Sequence, residues 1–303
     1  MKTHHTAPLL VLAALAGLTP FAPAGSSDGS GALTPATTAA GSSPRFVVDL
    51  STQFEFADES PAGPGGDILR TRLSIPLFVP LSERWRLIGM VRGGWTDYSS
   101  DPFGGDGLQT WNAGGLLTLN GDLNESWTGT IGVLGSSNWE DGAAFSDSLN
   151  GGGLAMLSYK FSPKLTVGLG GLYLTRTNED ALVVPAPGLD WQASDALKVT
   201  LYGLDLRAEL TGSPQWTVYL RGEFDPDGAL LVQRPGSEVD SFQDQGFRAA
   251  GGVKWTPCPS FSLSLEGGVA FHEYTLRSAQ EVELAKDRID PAPFVGLAAR
   301  LSF

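Results

Sequence analysis

The sequence predicts an all-β chain closed into a transmembrane, antiparallel up-and-down β-barrel of about twelve strands, with fourteen as the other possible count. Three observations carry that prediction: segments of about ten to fourteen residues that alternate in polarity, aromatic side chains near the ends of the apolar phases, and connections that are short and long in turn. Each segment is long enough to cross a bilayer as a tilted strand, which takes about 9–11 residues.

In chain order, residues 1–24 read first as a cleaved signal peptide. Lys2, His4 and His5 form a polar start, residues 7–18 are an apolar run rich in small side chains, and Ala22-Pro23-Ala24 is an A-x-A cleavage site. The run is too short for a transmembrane helix, and the region has no cysteine for a lipid anchor. Residues 25–44 are Gly, Ser, Ala, Thr and Pro with almost no bulky side chain, so they cannot offset their ordering entropy and read as a disordered tail. Residues 45–303 are left for one barrel domain. The single cysteine, Cys258, lies between Pro257 and Pro259 and excludes an intramolecular disulfide. A net charge of −13 argues against nucleic acid as a partner.

The first β segment places Phe46, Val48, Leu50, Phe54 and Phe56 on one face and Asp49, Ser51, Gln53 and Glu55 on the other. The second opposes Leu73, Ile75 and Leu77 to Arg70, Arg72 and Ser74, and the third opposes Trp85, Leu87, Val91 and Trp95 to Arg86, Met90 and Arg92. The same period of two continues through 111–119, 127–135, 154–161, 165–175, 216–224, 247–255 and 261–271. Trp85, Trp95, Trp111, Trp127, Trp216 and Trp255 fall where the two interfacial girdles of a membrane barrel belong. A soluble sandwich would use shorter strands and direct both apolar faces at one common core.

Short connections are expected at 80–84, 120–125, 162–164, 192–196, 211–215 and 256–260, and long Gly- and acid-rich ones at 58–67, 99–107, 138–150, 226–245 and 277–291. The count turns on residues 198–210, where the apolar parity switches near Gly203. A bulge there favours twelve strands and a turn gives fourteen.

The final VGLAARLSF carries Phe303, Leu301, Ala299 and Leu297 on one parity and ends on an aromatic residue. It resembles the C-terminal strand of bacterial outer-membrane β-barrels. That resemblance implies a location in the outer membrane, an assembly signal read by the barrel-assembly machinery, and a last strand that closes on the first. The stretch LVVPAPGLDWQASDALKVTL (182–201) resembles a family of exported outer-membrane barrels of unknown function. This second resemblance supports the same address and names no substrate. Outer-membrane lipid and lipopolysaccharide are the partners both imply.

With the polar phase inward, Arg70, Arg72, Arg86, Arg92, Arg176, Arg207, Arg221 and Arg248, with Glu223 and Glu266, become the candidate lumen and selectivity residues. A basic excess of this kind selects anions. It points to a porin-like channel for small polar or anionic solutes, with no cofactor and no enzymatic activity. The alternative is a plugged barrel, its charges paired across strands, that acts through acidic outer loops. His272 shares a parity with Ser262, Ser264 and Glu266, but Ser264 is eight residues away, roughly 26 Å along a strand. It therefore reads as an interfacial or loop-base residue. The acids at Asp225 and Asp227, or Asp101 and Asp106, lack the spacing of an EF-hand loop, so no metal site is assigned.

Overall fold

The computed structural model describes residues 45–57, 66–100, 107–176, 179–232, 237–280 and 282–303. The expected signal peptide and tail, and the loop acids Asp58, Glu59, Asp101 and Asp106, lie outside the described residues. The strands are β1 (Arg45–Glu55), β2 (Ile68–Pro80), β3 (Trp85–Tyr98), β4 (Leu108–Asp122), β5 (Trp127–Glu140), β6 (Leu149–Ser162), β7 (Leu165–Arg176) and β8 (Glu179–Gln192). They continue as β9 (Leu197–Tyr202), β10 (Asp205–Ser213), β11 (Trp216–Leu230), β12 (Ser241–Cys258), β13 (Phe261–Phe271), β14 (Glu273–Arg277), β15 (Glu283–Arg288) and β16 (Ala292–Ser302). A short 3-10 turn at Phe145–Ser148 interrupts the β5–β6 connection.

Fourteen of these strands each have two antiparallel neighbours and form a closed ring: β1 to β13 in order, then β16, which returns to β1. Closure satisfies the backbone donors and acceptors that an open edge would leave bare in lipid. The remaining pair, β14 and β15, is a hairpin on the loop end of β12. Of the two counts the sequence allowed, fourteen is therefore the one built. The parity switch at Gly203 is a turn: β9 pairs with β10 through Tyr202↔Asp205, and Gly203 takes φ 57°, a left-handed conformation that favours glycine.

Two of the predicted long loops are shorter than expected. Residues 226–230 and 241–245 stay paired as the loop ends of β11 and β12, and much of 277–291 is built into β14 and β15. These strands outlast the apolar phase because ladder pairing, not lipid, stabilises their ends.

The outward face is apolar, as the alternation requires. Leu169, Val183, Leu220 and Val133 are each more than 60 % exposed. One aromatic belt lies at the short-turn end, where Trp216 stacks on Trp255, Trp127 meets Tyr159, and Phe303 stacks on Phe46 with ring centroids 4.8 Å apart. The other lies at the loop end, where Trp95 leans on Trp111 and Phe247 on Phe271. Trp85 covers Gly121 so closely that a Cβ there would fall 2.2 Å from its ring. This is an aromatic side chain filling the space a glycine leaves on a sheet.

Candidate functional site

Inside the ring the inward-facing residues sort into two sectors. Midway along β4 to β8 they are mainly leucine, valine and glycine, with buried polar residues such as Asn120, Thr128 and Asp190 nearer the short turns. Leu134, Leu172 and Leu174 are buried in one cluster with Leu116, Leu154 and Val184. Cross-strand pairing sets it: Leu116↔Leu134, Leu154↔Leu172 and Leu172↔Val184 are direct neighbours. The sequence reading, which made the whole inner face polar, missed this sector. The signal was present, since Leu116, Leu134, Leu154 and Leu172 all fall on the polar parity of their strands.

The other sector, from β9 through β13 and β16 to β3, surrounds a cavity of about 210 Å³. Eight basic side chains line it, Arg70, Arg72, Arg92, Lys198, Arg207, Arg221, Lys254 and Arg300, against five acidic ones, Asp49, Asp205, Glu209, Glu223 and Glu266. The charges are extensively paired. Arg300 donates from Nε and Nη2 to the two oxygens of Asp49 at 2.6 and 2.8 Å, a bidentate fork between adjacent strands. Arg207 and Lys254 both donate to Glu209 Oε1, at 3.0 and 3.2 Å. Arg221 donates to Glu223 at 2.7 Å and lies 3.6 Å from Glu266. Tyr219 lies over Gly252, donates its hydroxyl to Glu266 at 3.0 Å, and carries the Arg207 guanidinium 4.1 Å above its ring.

Of the ten lumen candidates, the structure brings Arg70, Arg72, Arg92, Arg207, Arg221, Glu223 and Glu266 together on this wall. Arg86 does not join them: it lies on the same parity of β3 as Arg92 but next to the short-turn end, paired with Pro80 and outside the cavity wall. The Arg176 side chain lies outside the described residues. Arg248 is displaced from the chamber into a buried cluster at its loop end.

That cluster gathers five ionisable residues from β1, β2, β12 and the β13–β14 connection. Glu55 is wholly buried and accepts from Arg70 Nε at 2.9 Å; Arg248 Nη2 lies 3.2 Å from the same oxygen. Arg70 Nη2 donates to Asp244 at 3.0 Å. His272 lies between the two carboxylates, with Nδ1 2.9 Å from both Asp244 oxygens and Nε2 2.7 Å from Glu55 Oε2. Of the two expected places for His272, interface or loop base, the first is corrected, since it is 3 % exposed, and it sits at the loop base between β13 and β14. Its reason is topological, since Glu55 lies 217 residues away in sequence and only barrel closure brings it near. Among the described residues the hydrogen bonds observed at the His272 ring are with the Asp244 and Glu55 carboxylates and with no serine, threonine or cysteine.

Above the cluster the mouth is covered. The loop end of β11 crosses to β5, six places away in the ring of fourteen and so nearly opposite. Leu230 pairs with Trp139 there, and the Val232 N–H donates to Glu140 Oε2 at 2.7 Å. An apolar layer of Ile68, Tyr98, Leu108, Ala229, Leu231, Phe242 and Leu276 fills the space beneath. On the outer hairpin, hydrogen bonds from Lys286 and Arg288 hold the Glu273 carboxyl below the usual carboxylate range.

At the seam, the last strand pairs with the first through Leu301↔Val48, Ala299↔Leu50 and Leu297↔Thr52, and the Phe303 N–H donates to the Phe46 carbonyl at 3.1 Å. Among the described residues no group of three His, Cys, Asp or Glu side chains is arranged to hold a metal.

These features define a transmembrane β-barrel of fourteen strands with a charged chamber on one side of its lumen. No protein-family model matches the chain. No curated protein matches it in sequence. Among solved structures the barrel is similar to the NanC porin (10 % identity, TM-score 0.38), covering 84 % of this chain and 98 % of that one. It is also similar to the KdgM porin in complex with disordered oligogalacturonate (8 % identity, TM-score 0.37, 85 % and 99 % covered). A third similar structure is a Pseudomonas aeruginosa FadL homologue (12 % identity, TM-score 0.40, 86 % and 89 % covered). At these scores the likeness bears on neither solute nor mechanism.

Proposed function

We propose that the protein is an outer-membrane channel, exported through its N-terminal signal peptide, that passes small polar or anionic solutes through the arginine-bearing chamber, and that the conformation described is its closed form. The observation that carries this reading is the composition of the chamber wall, eight basic against five acidic side chains around about 210 Å³. A wall with that excess attracts anions electrostatically. In this reading the short turns face the periplasm and the covered mouth faces outward, against lipopolysaccharide. The Phe46–Phe303 seam is where the assembly machinery completes the ring, and the chain needs no cofactor and performs no catalysis.

Single-channel recording of the refolded barrel in a planar bilayer tests the proposal, with heat-modifiable gel mobility as the check on folding. Discrete steps with an anion-biased reversal potential are expected. Cation-biased steps would contradict it.

The crossing of β11 to β5 favours a second reading, a permanently plugged barrel that acts through its outer loops. Sustained silence from folded protein, even after the mouth contacts are removed by mutation, is its distinguishing result.

A further inference from the structure

The covered mouth has a single histidine at its base, and the contacts of that histidine constrain its protonation. A neutral imidazole has one N–H and one lone pair. His272 places both ring nitrogens against carboxylate oxygens, Nδ1 on Asp244 and Nε2 on Glu55, in a site almost closed to solvent. A neutral ring would therefore turn a lone pair toward one of two buried carboxylates. Only the imidazolium donates to both.

The two carboxylates belong to different parts of the barrel. Glu55 ends β1, on the wall beside β2. Asp244 lies on the loop end of β12, where that strand has left β13 and pairs with β14 and β11. The same part of β12, through Ser241, pairs with Leu230 of β11, the residue that reaches across to Trp139. His272 thus ties the fixed wall to the strand ends that cover the mouth.

We infer that protonated His272 is the keystone of a latch holding the mouth closed, and that loss of its ring proton weakens the hold of the β1–β2 wall on the β11–β12 strand ends, leaving the Arg70–Asp244 pair as the remaining tie. The groups facing the ring are Glu55 from β1, Arg70 from β2, Asp244 and Arg248 from β12, and Tyr274 of β14, which stacks on it at 5.7 Å; Tyr98 of β3 lies beyond Arg70. Arg70 and Arg248 balance the two carboxylates in charge, so deprotonation does not leave the cluster with a surplus of negative charge. What it removes is one charge-assisted hydrogen bond between wall and mouth. The sign follows: the latch is engaged while the imidazolium persists and weakens as pH rises through its titration. The latch stands on contacts alone. The channel reading enters only in its consequence, that a weakened latch admits solute.

The test uses the full chain with His4→Gln and His5→Gln, which leaves His272 as its only histidine. Nitrogen-15 spectra of the refolded barrel, labelled in the imidazole, should show both ring nitrogens protonated at neutral pH and one proton lost as pH is raised. A neutral ring at pH 7 overturns the inference. The second measurement places Leu230→Cys and Trp139→Cys in a Cys258→Ser background, so that disulfide formation at a fixed pH 7 reports the closed mouth. His272→Gln should slow that cross-link roughly tenfold, the effect of losing a charge-assisted hydrogen bond. An unchanged cross-linking rate in folded His272→Gln also overturns it. If His272→Gln does not fold, the spectra decide alone. A protonated ring and a slowed cross-link in a barrel that never conducts would leave the latch standing and refute the channel.

Discussion

The two sectors of the lumen are built from the same strands and the same turns, yet one is filled and the other keeps a chamber. Midway along β4 to β8 the inward side chains are aliphatic, and Leu134, Leu172 and Leu174 collapse onto their neighbours until they are buried. Non-directional attraction lets such side chains pack to interior density. On β9 to β13, β16 and β1 to β3 many of them are charged, and guanidinium groups such as those of Arg300 and Arg221 meet carboxylates in a fixed direction at hydrogen-bond distance. Directional pairs across a curved wall do not fill it, and about 210 Å³ is left. Aliphatic inward side chains thus close the lumen where they cluster, and a chamber remains beside the charged ones.

Changes that unbalance one sector should break this contrast in a graded order. The largest effect is expected from Glu55→Ala, which leaves Arg70, Arg248 and His272 buried without the carboxylate they share. Removing one partner of a buried ionic cluster costs about 3–5 kcal/mol. Urea unfolding followed by gel mobility should show the loss. Next comes Leu172→Ala in the filled sector, expected to cost about 2–4 kcal/mol through lost burial and a residual void, with the reversal potential unchanged. Gly268→Ala should cost about 1–3 kcal/mol, because its Cβ would fall 2.1 Å from the Ala249 carbonyl oxygen, a backbone atom that cannot move aside. The double substitution Arg72→Glu and Arg92→Glu should lower anion preference in bilayer recordings. Smallest of all, Lys164→Ala removes the Lys164–Asp195 pair at the surface and should change stability by less than about 0.5 kcal/mol.

Much of the barrel was legible in the sequence because its two rules are local. Period-two alternation fixed which side chains face out, and the outward tryptophans mark the girdles at both ends. The strand count hinged on one residue, Gly203, whose positive φ is a turn that parity alone could not separate from a bulge. The site was legible only as a list of charges. Which carboxylate meets which arginine depends on register between strands distant in sequence, as with Asp49 and Arg300, 251 residues apart. Glu55, Asp244 and His272 could not have been joined without knowing that β1 and β16 close the ring. The filled sector was hidden differently, since leucines on the polar parity look like exceptions until four neighbouring strands place them side by side.

Thiol accessibility at two inward positions shows whether the lumen is open only along its charged sector. Arg92→Cys and Leu172→Cys would each be placed in a Cys258→Ser background and exposed to a small water-soluble thiosulfonate in the folded barrel. Rapid modification is expected at position 92 and protection at position 172. Equal modification at both positions would contradict it.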